Sequence, residues 1–77
     1  MLVENDILFC SKIIEHCSRV IETISKLTRE DFLFNKDAQD RVLFNIFQIG
    51  EYAKKISKEL IETYNEIDWK NIKKRYI

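Results

Sequence analysis

Few residues of this 77-residue chain are equipped for chemistry. The single histidine, His16, could move protons near neutral pH. It stands between Glu15 and Cys17, with Arg19 one turn on, at the edge of an apolar stripe. That setting reads as a boundary or surface histidine rather than an acid–base catalyst. A metal site would need Cys10, Cys17 or carboxylates beside it. Zinc asks for at least three convergent ligands. Cys10 and Cys17 lie two turns apart on one oily helix face and read as structural thiols. No metal or cofactor is expected. Glycine occurs once, as Gly50, and proline not at all. A single glycine excludes the phosphate loop, the dinucleotide fingerprint and the nucleophile elbow. Glu51 and Lys54 follow Gly50 and read as surface charges; the alternative is a cleft that Gly50 helps to open.

The elements that position these residues are helices. Asn5 is a good N-cap with Asp6 in the first turn, where the helix dipole favours a carboxylate. Apolar residues then recur in steps of three and four at Cys10, Ile13, Ile14, Cys17, Val20, Ile21, Ile24 and Leu27. This spacing predicts a helix over residues 5–27 with one continuous oily face. Glu15–Arg19 and Glu22–Lys26 are four apart with the acid first, the favoured order. Thr28 to Asp31 forms a second cap, followed by one short turn of helix. Phe32, Leu33 and Phe34 suit a plug across the end of a bundle. Asn35 caps a second long helix, predicted over residues 36–63 and about 40 Å long. Its stripe is Val42, Ile46, Ile49, Ala53, Ile56 and Leu60, widened by Leu43, Phe47 and Ile61. A glycine inside a helix costs about 1 kcal/mol relative to alanine, so Gly50, with Ile49 and Ala53 near it, points to close packing against another helix. Ile46, Ile49 and Ala53 are the expected packing interface. After a turn at residues 65–67, Asp68 caps a last helix carrying Trp69, Ile72 and Tyr76, which stops at Ile77.

Composition bounds the rest. The chain is 45% hydrophobic and 34% charged, a folding composition, and its length allows one domain, residues 1–77. A chain this short buries only about 60% of its unfolded surface, so it needs a staple or a partner. Thirteen basic and thirteen acidic side chains cancel. Residues 1–53 carry six basic and nine acidic groups, and residues 54–77 seven and four. A neutral domain has no general attraction for nucleic acid. No stretch approaches the roughly 20 apolar residues of a membrane span, and no basic head precedes an apolar run as in a signal peptide. The expected location is the cytoplasm, where two free thiols also fit. The expected fold is all-α: an antiparallel up-and-down bundle of two long helices, a short linking turn and a C-terminal helix cut short. The oily stripes exceed what such a bundle covers, so a homodimer or higher homo-oligomer is expected.

Two segments resemble a known family. The run Asn45-Ile46-Phe47-Gln48-Ile49-Gly50-Glu51-Tyr52-Ala53-Lys54 is similar to the Asn-x-x-x-Ile-Gly-Glu-x-Ala-Lys signature of HepT-like toxins. Tyr64-Asn65-Glu66-Ile67-Asp68-Trp69-Lys70-Asn71-Ile72 resembles the family's Tyr-Pro-x-Ile-x-Trp-x-x-Ile turn, with Asn65 in place of the usual proline. The resemblance covers about residues 5–73. It implies a HEPN (higher eukaryotes and prokaryotes nucleotide-binding) helical domain that dimerises, acts as a metal-independent ribonuclease and pairs with a nucleotidyltransferase-like antitoxin. In that family an Arg, a His and then a Tyr follow on the helix that starts at the Trp. Here Lys73-Lys74-Arg75-Tyr76-Ile77 stands instead. Lys74 replaces a glycine, Arg75 is out of register, and no histidine follows. No catalytic residue is carried over. Asn45, Gly50, Glu51 and Trp69 are carried over as cleft or framework positions. The resemblance thus implies a catalytically incomplete module for dimerisation and antitoxin binding. The alternative is the front part of a ribonuclease whose catalytic helix is missing from this chain, and RNA is a partner only in that case.

Overall fold

A computed structural model describes residues 4–73. In chain order the helices are α1 (Glu4–Ser25), α2 (Arg29–Leu33), α3 (Lys36–Ala53), α4 (Lys58–Thr63) and α5 (Trp69–Lys73), and the described residues contain no strand. The all-α architecture of two long helices with a short link and a short last helix agrees with the expectation. Arg75 and Tyr76, with the rest of 74–77, lie outside the described residues. No described helix is long and apolar enough to cross a membrane.

Local capping sets most boundaries. The Thr28 hydroxyl accepts the Asp31 amide at 3.0 Å and starts α2. The Asn35 side chain accepts the Ala38 amide at 3.0 Å and starts α3. Gln39 then donates to the carbonyls of Phe32 and Leu33, tying α3 back to α2. The Asp68 carboxylate accepts the Asn71 amide at 3.3 Å at the start of α5. Each cap satisfies an amide that the first helical turn leaves without a partner.

The second long helix is shorter than the periodicity implies. It ends at Ala53, and a separate helix begins at Lys58. Between them the amides of Lys55 and Ile56 bond to the carbonyls of Tyr52 and Ala53, a tighter three-residue pattern. Ser57 then caps α4, its hydroxyl accepting the Leu60 amide at 3.2 Å. The cause is distant in sequence. Asp6 of α1, only 2% exposed, accepts both the Ser57 amide and the Ser57 hydroxyl. This contact holds Ser57 in an extended conformation that a continuous helix could not supply.

The bundle core lies where α1 packs along α3. Of the buried apolar residues, Ala38 and Ala53 belong to α3, Ile56 follows it and Leu60 belongs to α4. Small residues at 38 and 53 allow the helix backbones to approach. Two expectations about packing are corrected. The oily face of α1 is not one face: Ile14 is 66% exposed and Ile21 62% exposed, and Ile24 also faces outward. Ile14 and Ile21 are rotated by about 100° from Ile13 and Val20, too far to share their contact with α3. Phe34 is 90% exposed and Leu33 is exposed, so the Phe-rich turn does not plug the bundle end.

Candidate functional site

His16 is the centre of a buried polar cluster. It is 7% exposed, not a surface residue, because its helical angle matches Ile13 and Val20, which face α3. Its Nδ1 lies 2.7 Å from Oδ1 of Asn45 on α3. Asn45 is itself buried and donates from Nδ2 to the Arg41 carbonyl at 2.7 Å. That second bond fixes which amide atom faces the imidazole, so His16 Nδ1 carries the proton and donates. Buried polar groups of this kind need such partners.

Aromatic rings enclose the pair. Tyr52 stacks on the imidazole at 5.9 Å and 24°. Phe44 meets it edge-on at 6.5 Å. Phe9 packs beyond Tyr52 at 6.1 Å, and the Lys55 ammonium lies 5.8 Å from the Phe9 ring and 5.4 Å from the Tyr52 ring. A cation over ring faces is attracted by their quadrupoles. A groove of about 360 Å³ runs beside the cluster, lined by Arg19, Glu22, Thr23, Arg41, Phe44 and Asn45. Arg19 is held by Glu15 at 2.6 Å. The arrangement can fix one helix register and tautomer. It does not present a free imidazole to a substrate.

The remaining family-matched residues stand elsewhere. Gly50 is buried on the side of α3 that meets α5. A Cβ built at Gly50 would lie 3.4 Å from the Ile72 carbonyl oxygen and 3.8 Å from that of Lys73. Trp69 opens α5, and its indole Nε1 donates to the Tyr64 carbonyl at 3.0 Å. Glu51 pairs with Lys54 at 3.6 Å, both partly exposed, next to Gly50 but not in an enclosed cleft. Asn45 therefore serves the α1–α3 contact, and Gly50 and Trp69 serve the α3–α5 contact. Of the expected packing residues, Ala53 is buried, Ile49 is half-buried and Ile46 is exposed.

Among the described residues no group of three His, Cys, Asp or Glu side chains could hold a metal ion. Cys10 and Cys17 are both free and half-buried on α1. The residues missed by sequence reasoning are the aromatic wall, Phe9, Phe44 and Tyr52, and the buried cap Asp6–Ser57. The steps from Ile13 through His16 and Val20 carried a signal for His16 that the broad oily stripe obscured.

Comparison with known proteins agrees with this framework. The family model described as "Ribonuclease HepT-like" matches residues 13–75. A Methanocaldococcus jannaschii protein named "Gamma-glutamylcyclotransferase and putative RNase" is 35% identical over 63 residues, which are 82% of this chain and 28% of that protein. Another protein of that organism, named "Putative RNase", is 28% identical over 64 residues, 83% of this chain and 53% of its own length. The chain thus spans about half or less of these curated relatives. No solved structure matches. The matched stretch takes in the His16–Asn45 pair, the Gly50 crossing and the Trp69 turn together, and this chain belongs to the HepT-like ribonuclease family.

Proposed function

We propose that this chain acts as a cytoplasmic helical module of the HepT-like type that self-associates and binds a nucleotidyltransferase-like antitoxin, without cleaving RNA by itself. The observation that carries this reading is the position of its one histidine. His16 is buried, stacked and hydrogen-bonded to Asn45 inside the α1–α3 contact. A general acid–base group must reach the atoms it serves. His16 cannot do so without opening the bundle. The thin apolar core and the many exposed aliphatic side chains support a need for partners.

The test is a single-stranded RNA cleavage assay on the 77-residue chain, with His16→Ala alongside. No cleavage above buffer is expected from either. Cleavage by the wild type that is lost in His16→Ala would overturn the reading.

A second reading has one observation in its favour: the relatives named as RNases are longer than this chain. In it the same framework forms the front of a ribonuclease whose Arg and His lie on a helix continuing from Trp69. Coding sequence beyond codon 77 with an Arg then a His in frame would favour it.

A further inference from the structure

The groove beside His16 carries charges that the fold leaves unmatched. Glu22 of α1 and Arg41 of α3 line it from opposite helices. Both also line its continuation toward Asn35, a further space of about 290 Å³. Yet no ion pair joins them: their charged atoms stay more than 4.0 Å apart. Glu22 gives Oε1 to Lys26 at 3.5 Å, in a pair whose members are 68% and 72% exposed. Such an exposed pair is weak, and it leaves Oε2 open. Arg41 has no carboxylate partner among the described residues.

The rest of the lining narrows what can sit between them. Glu15 holds the Arg19 guanidinium at 2.6 Å, so Arg19 is already matched. Asn45 is the buried member of the lining, 3% exposed. An amide carries two N–H donors. One goes to the Arg41 carbonyl, and the second has no partner in the chain. The Thr23 hydroxyl donates to the Arg19 carbonyl and keeps only its lone pairs for the groove. Phe44 is 57% exposed although His16 packs on its ring.

An occupant therefore needs an anionic group for Arg41 and Asn45, a cationic donor for Glu22, and apolar surface for Phe44. A guanidinium fork matches a carboxylate through two parallel bonds. An α-amino acid holds carboxylate and ammonium on one carbon, and an apolar side chain supplies the rest. The groove of about 360 Å³ falls in the roughly 300–1,000 Å³ range of small-molecule sites. A nucleic-acid strand fits worse. Its phosphates need cations, and along the continuation they would meet Glu22 and Asp37.

We propose that the α1–α3 groove binds a free α-amino acid with an apolar side chain, its carboxylate on Arg41 and its ammonium on Glu22. The site is separate from any partner surface, so its failure would leave the reading given above standing.

Titration of the isotope-labelled 77-residue chain with L-phenylalanine and L-leucine to about 20 mM, followed by amide NMR shifts, tests it. Saturable shifts are expected at Thr23, Arg41 and Asn45. Hydrocinnamate lacks the ammonium and phenethylamine lacks the carboxylate; each should bind at least about 10-fold more weakly than L-phenylalanine. L-Phenylalanine should lose a similar factor on Arg41→Gln and on Glu22→Gln. Arg29→Gln, exposed and away from the groove, should keep the wild-type affinity. Arg41 and Glu22 are exposed, so far-UV circular dichroism should be unchanged. Arg41→Lys keeps the charge without the fork and should also bind more weakly. No saturable shift, equal binding of hydrocinnamate, or an affinity unchanged in both Arg41→Gln and Glu22→Gln would overturn the proposal. Tighter binding of inorganic phosphate would overturn it too, and make the groove an oxyanion site.

Discussion

The Asp6 carboxylate of α1 grips Ser57 with both oxygens, accepting its backbone amide at 2.8 Å and its hydroxyl at 2.5 Å. With its proton committed to Asp6, the Ser57 hydroxyl turns a lone pair toward the Leu60 amide and starts α4. One buried carboxylate thereby joins the first helix to the fourth across 51 positions of sequence. Asp6→Ala strands the Ser57 amide and removes the anchor of the cap. The expected loss is about 3 kcal/mol, read as a fall in melting temperature of roughly 10 °C or more for a domain of this size. Asp6→Asn keeps one acceptor and should recover part of it. A melting point unchanged in Asp6→Ala would mean that α4 holds its place without α1.

The His16–Asn45 bond makes a separate prediction. Asn45→Leu removes both the acceptor for the imidazole and the donor to the Arg41 carbonyl. A buried donor left without a partner costs about 1–3 kcal/mol, measurable as a lower urea midpoint with an unchanged slope. Nitrogen NMR of the imidazole gives an independent readout. In the wild type the neutral ring should carry its proton on Nδ1. The Nε2 tautomer would contradict the bond direction given by the Asn45 amide.

Cys10 should be a slow nucleophile. Burial pushes its thiol above the ordinary value of 9.0, and the nearby Asp6 carboxylate adds to the shift. The thiolate is the reactive form, so alkylation by iodoacetamide at pH 8 should be slower at Cys10 than in the urea-unfolded chain. The stability sign follows. A thiol that holds its proton longer in the folded state leaves the unfolded state to ionise first, so stability falls as pH rises through about 9. Equal alkylation rates in the folded and unfolded chain, by mass spectrometry, would show that α1 leaves Cys10 open to solvent.

The caps at Thr28, Asn35 and Asp68 were readable from sequence because capping is local: donor and acceptor sit within three residues. The family signature also placed Gly50 and Trp69 in helical settings. The break before Ser57 was not readable. The apolar steps through Ala53, Ile56 and Leu60 continue the helical period across it, and the residue that enforces the break is Asp6. Asp6 itself reads from sequence only as a dipole partner in the first turn, because nothing local marks it as buried. His16 was obscured in the same way. The stripe of α1 is wide enough to look like one face, and only its contact with α3 divides Ile13 and His16 from Ile14 and Cys17.

Gly50 and Trp69 together test how α5 is held. α5 is too short to be stable alone, and it lies against α3 where Gly50 lacks a side chain. A methyl group there meets the Ile72 carbonyl at 3.4 Å, which is contact rather than collision. Gly50→Ala should therefore be neutral or stabilise by up to about 1 kcal/mol through helix propensity. Gly50→Leu extends well past that carbonyl, and overpacking should cost about 1–3 kcal/mol. The two changes can be told apart at α5 itself, because Trp69 is the only tryptophan and its indole donates to the Tyr64 carbonyl. Its fluorescence should be unchanged in Gly50→Ala and shift red in Gly50→Leu as α5 lifts away and the indole meets water. Trp69→Phe, which keeps an aromatic ring but loses the donor, should cost about 1 kcal/mol. A Gly50→Leu chain with native fluorescence and native stability would place Gly50 at solvent and leave α5 held by the Trp69 turn alone.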